Sequence, residues 1–488
     1  MYLNLSFYSF DVVIVIVVIN RKNKFLIFQT GTGTLFLYKY FLFFQNQNTW
    51  YDDAHELLIS RVAINDLESF LLIADHHIGF SLFLKLLIGV FGFEYIYVVF
   101  GCLNLLIFLV LGYLIAKQDN FSYEICVVQI LILSSPIVVD YIYRPKQYFI
   151  DFCIAVLLIR YFSEESNLKL KKIFSALFFS VFFSNILVIY FIFPLMRLIS
   201  NNKNKLSILL LTLIPIPFFY RAYTKFFNDE FREYWSIYYE NSSASLVKLF
   251  FNNLMFIRNF NDLGFLPLLS SIIFIGVLLM FRHNRIIFWM TILPVLILNF
   301  LNLINLYPIG AGRTDLILFP FFVYCFLNLF KYLNTKFSIT FLLIALLPVF
   351  IFVENKNIRE DNTQEILEYS QSFEYDLLYV TYYSIPQTIL FDNQIGQAKL
   401  VNGECFYNSK SKNIVFMQSE LSKGCEPQTD FTTIQEQILE NKKILIIGHD
   451  SKTQNIQYTI LNIESLENSK YIKEFGNNEF LIAINFDN

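Results

Sequence analysis

One polar stretch gathers most of the residues whose types could do chemistry. From Gln45 to Gly79 the chain reads QNQNTWYDDAHELLISRVAINDLESFLLIADHHIG, setting acids and histidines between strongly apolar segments. Asp52, Asp53, His55 and Glu56 come first, and Asp75, His76 and His77 follow an amphipathic run. If a helix begins near Asp52, Asp52 and Glu56 share a face at i, i+4, with Asp53 beside them. Carboxylates that close cannot all ionise freely, the condition under which one of them serves as a general base. Thr49, three residues before Asp52, also fits a capping box, a structural role compatible with a catalytic one. The histidines could join Asp52 or Asp53 around a divalent metal ion, but no HExxH or paired CxxC spacing accompanies them.

Two basic motifs complement the acids. Arg144-Pro145-Lys146, followed by Tyr148, lies in a very short link between apolar segments. It reads either as a snorkelling pair at a membrane surface or as a phosphate site, with arginine offering a planar fork and lysine a point charge. In Tyr307-Pro308-Ile309-Gly310-Ala311-Gly312-Arg313 the glycines permit a tight path that presents Arg313. Acids and cations together suit an anionic lipid-phosphate substrate attacked beside a base.

The elements that must position these residues are membrane helices. The 488-residue chain is 56% hydrophobic and 16% charged, with mean hydropathy +0.50. A soluble domain this apolar would lack the polar surface to cover itself, so a polytopic membrane protein is expected. A net charge of −3 argues against a nucleic-acid partner. The N-terminal apolar run lacks the features of a removable signal peptide, and the Arg21-Lys22-Asn23-Lys24 tetrad after it belongs on the cytoplasmic side.

A second run covers Phe25–Phe44, and further spans are expected near 93–116, 124–143, 147–162, 206–220, 263–281, 286–301, 316–330 and 337–353. Basic flanks on both sides of 173–200 favour two short helices broken at Ser184-Asn185 over one long one. About 11 spans result, a mainly α helix bundle over 1–353, with the loops at 45–79, Arg144, 221–262 and 302–315 on the outer face. Residues 354–488 read as a small extracytoplasmic α/β domain: EYDLLYVTY and KKILIIGHD are buried-strand patterns, and FTTIQEQILEN between them has helical spacing. Cys405 and Cys425 would pair there only in an oxidising compartment.

The motifs together resemble the GT-C membrane glycosyltransferases, which include protein O-mannosyltransferases and aminoarabinose transferases. Trp50-Tyr51-Asp52-Asp53-Ala54 resembles their first-loop "W-x-D-E-A", and His77-Ile78-Gly79-Phe80 with Phe91-Gly92 resembles "H-P-P-L … F-G". Ser134-Ser135-Pro136 through Tyr143-Arg144-Pro145-Lys146-Gln147-Tyr148 resembles "S-P … R-x-Y", and Tyr307-Pro308 through Gly312-Arg313 resembles "Y-P-x-x-G-R". Order and spacing agree over roughly 45–330.

The resemblance implies a polyprenyl-phosphate-linked sugar donor, an extracytoplasmic acceptor, and a multi-pass protein of the plasma or inner membrane. Asp52, with Asp53, would act as base or orient acceptor and metal; Arg144 and Arg313 would bind the lipid phosphate, with Glu56, His77, Lys146 and Tyr148 lining the substrate. Asp53 stands where the family has Glu, and Ile78-Gly79 replaces its Pro-Pro pair. A flippase of lipid-linked saccharides and a polysaccharide ligase or polymerase are the alternatives. Against the first, ionisable residues concentrate in loops, Asp140 and Asp151 being exceptions.

Overall fold

The computed structural model describes residues 20–45, 51–61, 77–93, 95–118, 122–134, 141–164, 170–201, 266–307, 316–332, 362–381, 384–392, 394–401, 405–417, 440, 442–449, 469–476 and 479–484. It is mainly helical with a smaller set of strands. The chain divides into two compact units. One comprises Met1–Gln45, His76–Phe80 and Phe91–Asn357; the other comprises Asn46–Asp75, Ser81–Val90 and Ile358–Asn488.

In the helical unit, helix α1 (Arg21–Gln45) starts where Asn20 caps it, the Asn20 Oδ1 accepting from the Asn23 amide at 3.0 Å. Asparagine is among the preferred residues for that task. The RKNK tetrad is therefore the first turn of a helix, not a loop ahead of one. Helix α2 (Tyr51–Arg61) belongs to the second unit, and α3 (Ile78–Phe91) gives its first turn to this one. Then come α4 (Ile96–Gln118), α5 (Glu124–Ser134), α6 (Tyr148–Glu164), α7 (Leu170–Phe183), a 3-10 segment (Asn185–Phe191) and α8 (Ile192–Asn201). Beyond residue 265 lie α9 (Leu266–His283), α10 (Arg285–Leu303), a 3-10 turn (Leu316–Leu318) and α11 (Phe319–Tyr332). By length and composition, α4 and α10 could each cross a membrane. Leu106, Val110 and Leu114 on α4 and Phe174, Phe178 and Phe179 on α7 are exposed. Outward-facing apolar side chains of this kind suit a lipid environment. The segments expected at 206–220 and 337–353, the first apolar run, and the loop 221–262 lie outside the described residues.

Helix α7 does stop at Phe183. Ser184 takes extended backbone angles (φ −157°, ψ 126°) and a 3-10 segment follows. The same place explains Ile78-Gly79. A Cβ on Gly79 would lie 2.6 Å from the Phe182 carbonyl oxygen and 2.5 Å from its ring, so only glycine lets the start of α3 meet the end of α7. Close backbone approach through small residues is a common way to pack helices in lipid. Gly79→Ala should destabilise the protein by about 1–3 kcal/mol, the usual cost of overpacking. A lowered thermal midpoint in detergent would register it; an unchanged midpoint would mean the contact yields without cost.

Helix α10 ends in a Schellman motif. Asn305 takes the left-handed conformation (φ 59°), its N–H donates to Asn302 O at 2.9 Å, and the Leu306 N–H reaches Leu301 O at 2.8 Å. Asparagine is the usual substitute for glycine at this position. The Asn302 side chain then donates to Tyr307 O at 2.9 Å, holding the first residue of the Tyr307-Pro308 motif.

The second unit is built on a mixed five-stranded sheet. After α12 (Thr363–Ser370) come β1 (Leu377–Thr381), α13 (Ile385–Phe391), β2 (Gly396–Val401), β3 (Cys405–Ser409) and β4 (Ile414–Met417). The last strands are β5 (Ile444–His449), β6 (Ser469–Gly476) and β7 (Glu479–Ile484). The order is β4-β1-β5-β7-β6, the first three parallel and β7 and β6 antiparallel, while β2 and β3 form a separate ribbon. Tyr379 opposes Val415 and Ile446, and Ile446 opposes Ile482, giving one apolar row across the sheet. Leu378, Val380, Leu445 and Ile447 on the other face are buried too. Central strands covered on both faces need continuous apolar runs, and LLYV and ILII supply them. Burial also pushes the Tyr379 phenol above its ordinary range. The segment FTTIQEQILEN and Cys425 lie outside the described residues.

Candidate functional site

The basic motif is held from several directions within the helical unit. The Lys146 N–H donates back to Arg144 O at 2.7 Å, closing a three-residue turn on Pro145. Proline's fixed φ suits the centre of such an inverse γ-turn. The approach is pinned from neighbouring helices. Asn104 Nδ2 donates to Ile142 O at 2.5 Å, and the Tyr143 hydroxyl donates to Phe36 O at 2.7 Å. Tyr143 also meets the Phe36 ring edge-on, centroids 5.1 Å apart. On the far side Tyr148 opens α6 and packs edge-on against Tyr141 at 5.2 Å.

Arg144 is 1% exposed, the bulkiest of the fully buried side chains, and Lys146 is 5% exposed. A snorkelling residue keeps its charged head in water. These two do not, so that reading of the pair fails. Buried cations are held by partners of opposite charge or by hydrogen bonds, and they are costly without them.

At the start of α6 is a polar set that the sequence marks only weakly. Gln147 and Asp151 are buried, and Asp151 accepts a hydrogen bond from the Ser184 hydroxyl at the break after α7. Among the described residues, Gln147 Oε1 and Asp151 Oδ1 have no hydrogen-bond partner. Buried polar atoms are nearly always satisfied, so these two mark a polar position within an otherwise apolar layer. By sequence alone Asp151 is an acid within an apolar segment. The i, i+4 spacing of Gln147 and Asp151, directly after the basic turn, is the signal that would have found the set.

His77 immediately precedes α3. It is buried, and its ring centroid lies 6.2 Å from that of Phe80, which in turn meets Phe100 edge-on at 6.0 Å.

The acids belong to the second unit. Asp52 falls in the first turn of α2, and Asp53 and Glu56, one turn apart, are 0% and 4% exposed. Arg61 in the last turn suits the helix dipole, and burial lowers its guanidinium from the ordinary value while leaving it a cation. His55, between the two buried acids, is hydrogen-bonded through Nδ1 to the hydroxyl of Tyr407 on β3. No group of three His, Cys, Asp or Glu side chains placed to hold a metal ion occurs among the described residues. Arg313, Asp75 and His76 lie outside the described residues.

The sequence matches no protein-family model and no curated protein. Its fold does have solved counterparts. ArnT from Cupriavidus metallidurans bound to undecaprenyl phosphate superposes with a TM-score of 0.54 at 12% identity, over 93% of this chain and 97% of that one. The same protein in the apo state gives 0.51 at 11% identity, over 93% and 98%. At this identity the likeness is one of fold: this chain is folded like ArnT.

Proposed function

We propose that this protein is an integral-membrane glycosyltransferase that moves a sugar from a polyprenyl-phosphate donor to an extracytoplasmic acceptor. The observation that carries the reading is the withdrawn cationic turn at Arg144-Pro145-Lys146, in a fold that ArnT adopts with undecaprenyl phosphate bound. Residues 1–353 would form the multi-pass catalytic domain of a plasma or inner membrane protein, and 354–488 the extracytoplasmic domain.

Arg144 and Lys146, with Arg313, hold the donor phosphate and stabilise the negative charge it gains on leaving. Asp52 accepts the proton of the acceptor hydroxyl, with Asp53 and Glu56 on the same helix. The acceptor oxygen bonds to the anomeric carbon as the bond from that carbon to the phosphate oxygen breaks. Polyprenyl phosphate departs with the electron pair, and one displacement inverts the sugar carbon. His77 and Tyr148 line the substrate.

The test is complementation of a knockout by wild type, Asp52→Asn and Arg144→Ala, read by mass spectrometry of surface glycans and lipid-linked sugars. Loss of one sugar with build-up of its lipid-phosphate form in both variants, at normal protein level, is the expected result. Unchanged glycans in both would overturn it. The buried Asp151 carboxylate is the one observation that favours a flippase of lipid-linked saccharides instead. A flippase would translocate the lipid without releasing free polyprenyl phosphate.

A further inference from the structure

The helix that carries the acids cannot hold itself. Tyr51–Arg61 has 11 residues, and isolated helices shorter than about 12–15 residues are marginal in water. From Asp53 to Ser60 every side chain except that of half-buried His55 is buried. Its supports come from remote parts of the chain. Helix α13 packs along it and β2 touches it. Lys85 Nζ donates to Ser60 O at 3.0 Å, on the terminal turn, where a cation meets the negative end of the helix dipole. His55 Nδ1 and the Tyr407 hydroxyl are hydrogen-bonded across 352 positions of sequence, their rings 5.9 Å apart and inclined at 73°.

We propose that the C-terminal segment of the chain positions the acid helix for catalysis, with Tyr407, acting through His55, and Lys85 as positioning residues. The inference rests on the reading of Asp52, Asp53 and Glu56 as the acids of a transferase. Packing against α13 fixes where the helix lies, and a directional bond adds control over its rotation about its axis. A hydrogen bond from a side chain between Asp53 and Glu56 fixes that rotation, because each residue is locked about 100° from the next. The bond at Ser60 fixes the far end. An acid turned away by 1 Å costs about 100-fold in rate, so the tie acts on turnover and not on donor binding.

Tyr407→Phe keeps the ring and removes the hydroxyl. It is expected to lower kcat about 10- to 100-fold, with the donor KM and the melting temperature essentially unchanged. His55→Ala should behave alike. His55→Asn, whose amide can stand in for Nδ1, should recover most of the rate. Amide hydrogen exchange over 51–61 should quicken in Tyr407→Phe. Wild-type kcat in both Tyr407→Phe and His55→Ala, or losses that only follow loss of folded protein, would overturn the proposal. If the wild type itself released no polyprenyl phosphate, the transferase reading would fall. The exchange data would then still decide whether Tyr407 holds the helix, and unaltered exchange would sink the tie as well.

Discussion

Arg144→Ala is expected to abolish tight binding of polyprenyl phosphate by the purified protein. Truncating one partner of a buried charge-assisted pair costs about 2–5 kcal/mol, which is about 30-fold to several thousand-fold in affinity. Arg144→Lys should fall between, since it keeps the charge and loses the planar fork. The side chain is wholly buried, so a loss of fold must be separated from a loss of ligand. The segment around it has its own supports in the Asn104 and Tyr143 hydrogen bonds and the Tyr141–Tyr148 contact, none of which uses the guanidinium. The backbone turn should therefore survive the substitution. Binding of polyprenyl phosphate and the thermal midpoint, measured on the same sample, give the answer. Undiminished binding with a lowered midpoint would make Arg144 a structural cation and remove the main support of the proposed function.

What could be read from sequence follows the range of the forces involved. Apolar runs give helices because burial and hydrogen bonding are decided locally. The segments expected near 93–116, 147–162, 263–281 and 286–301 are helices at those places, and LLYV and ILII are strands. The stop at Ser184 was legible from the basic flanks on both sides. The helix extends one turn beyond the apolar run, through the basic tetrad to the Asn20 cap, because capping and not hydrophobicity sets its start. The contacts that shape the candidate site are long-range, and no local pattern announces them. Gly79 stands where the resemblance leads one to expect proline, and its reason is the Phe182 backbone about a hundred residues away. Nothing in the local sequence of His55 points to its partner, Tyr407. Arg144 could not be assigned by type, since a snorkelling and a phosphate-binding arginine have the same sequence. Its burial argues against snorkelling and leaves a phosphate-binding or a structural cation.

Asp52→Asn should leave polyprenyl-phosphate binding intact and remove turnover. A positioned general base contributes about 10²–10⁴-fold, so kcat should fall by that factor while the donor KM stays within about twofold of wild type. The comparison that gives this force is Asp53→Asn. Asp53 is fully withdrawn from solvent on a helix that is buried from Glu56 to Ser60, and its replacement should reduce the yield of folded protein before it reports on chemistry. Glu56, one turn on from both, tests the shared face. If it assists Asp52, Glu56→Gln should slow turnover by less than Asp52→Asn, and the double variant should be no slower than Asp52→Asn alone, since groups that act as one unit are not additive. The decisive reading is release of polyprenyl phosphate from a polyprenyl-phosphate sugar by purified protein. If Asp52→Asn kept wild-type release, the first-loop acids would be holding their helix and not the acceptor's proton. The base would then have to be sought elsewhere, with Asp151, buried one turn beyond the basic motif and carrying an oxygen without a partner among the described residues, the first to examine.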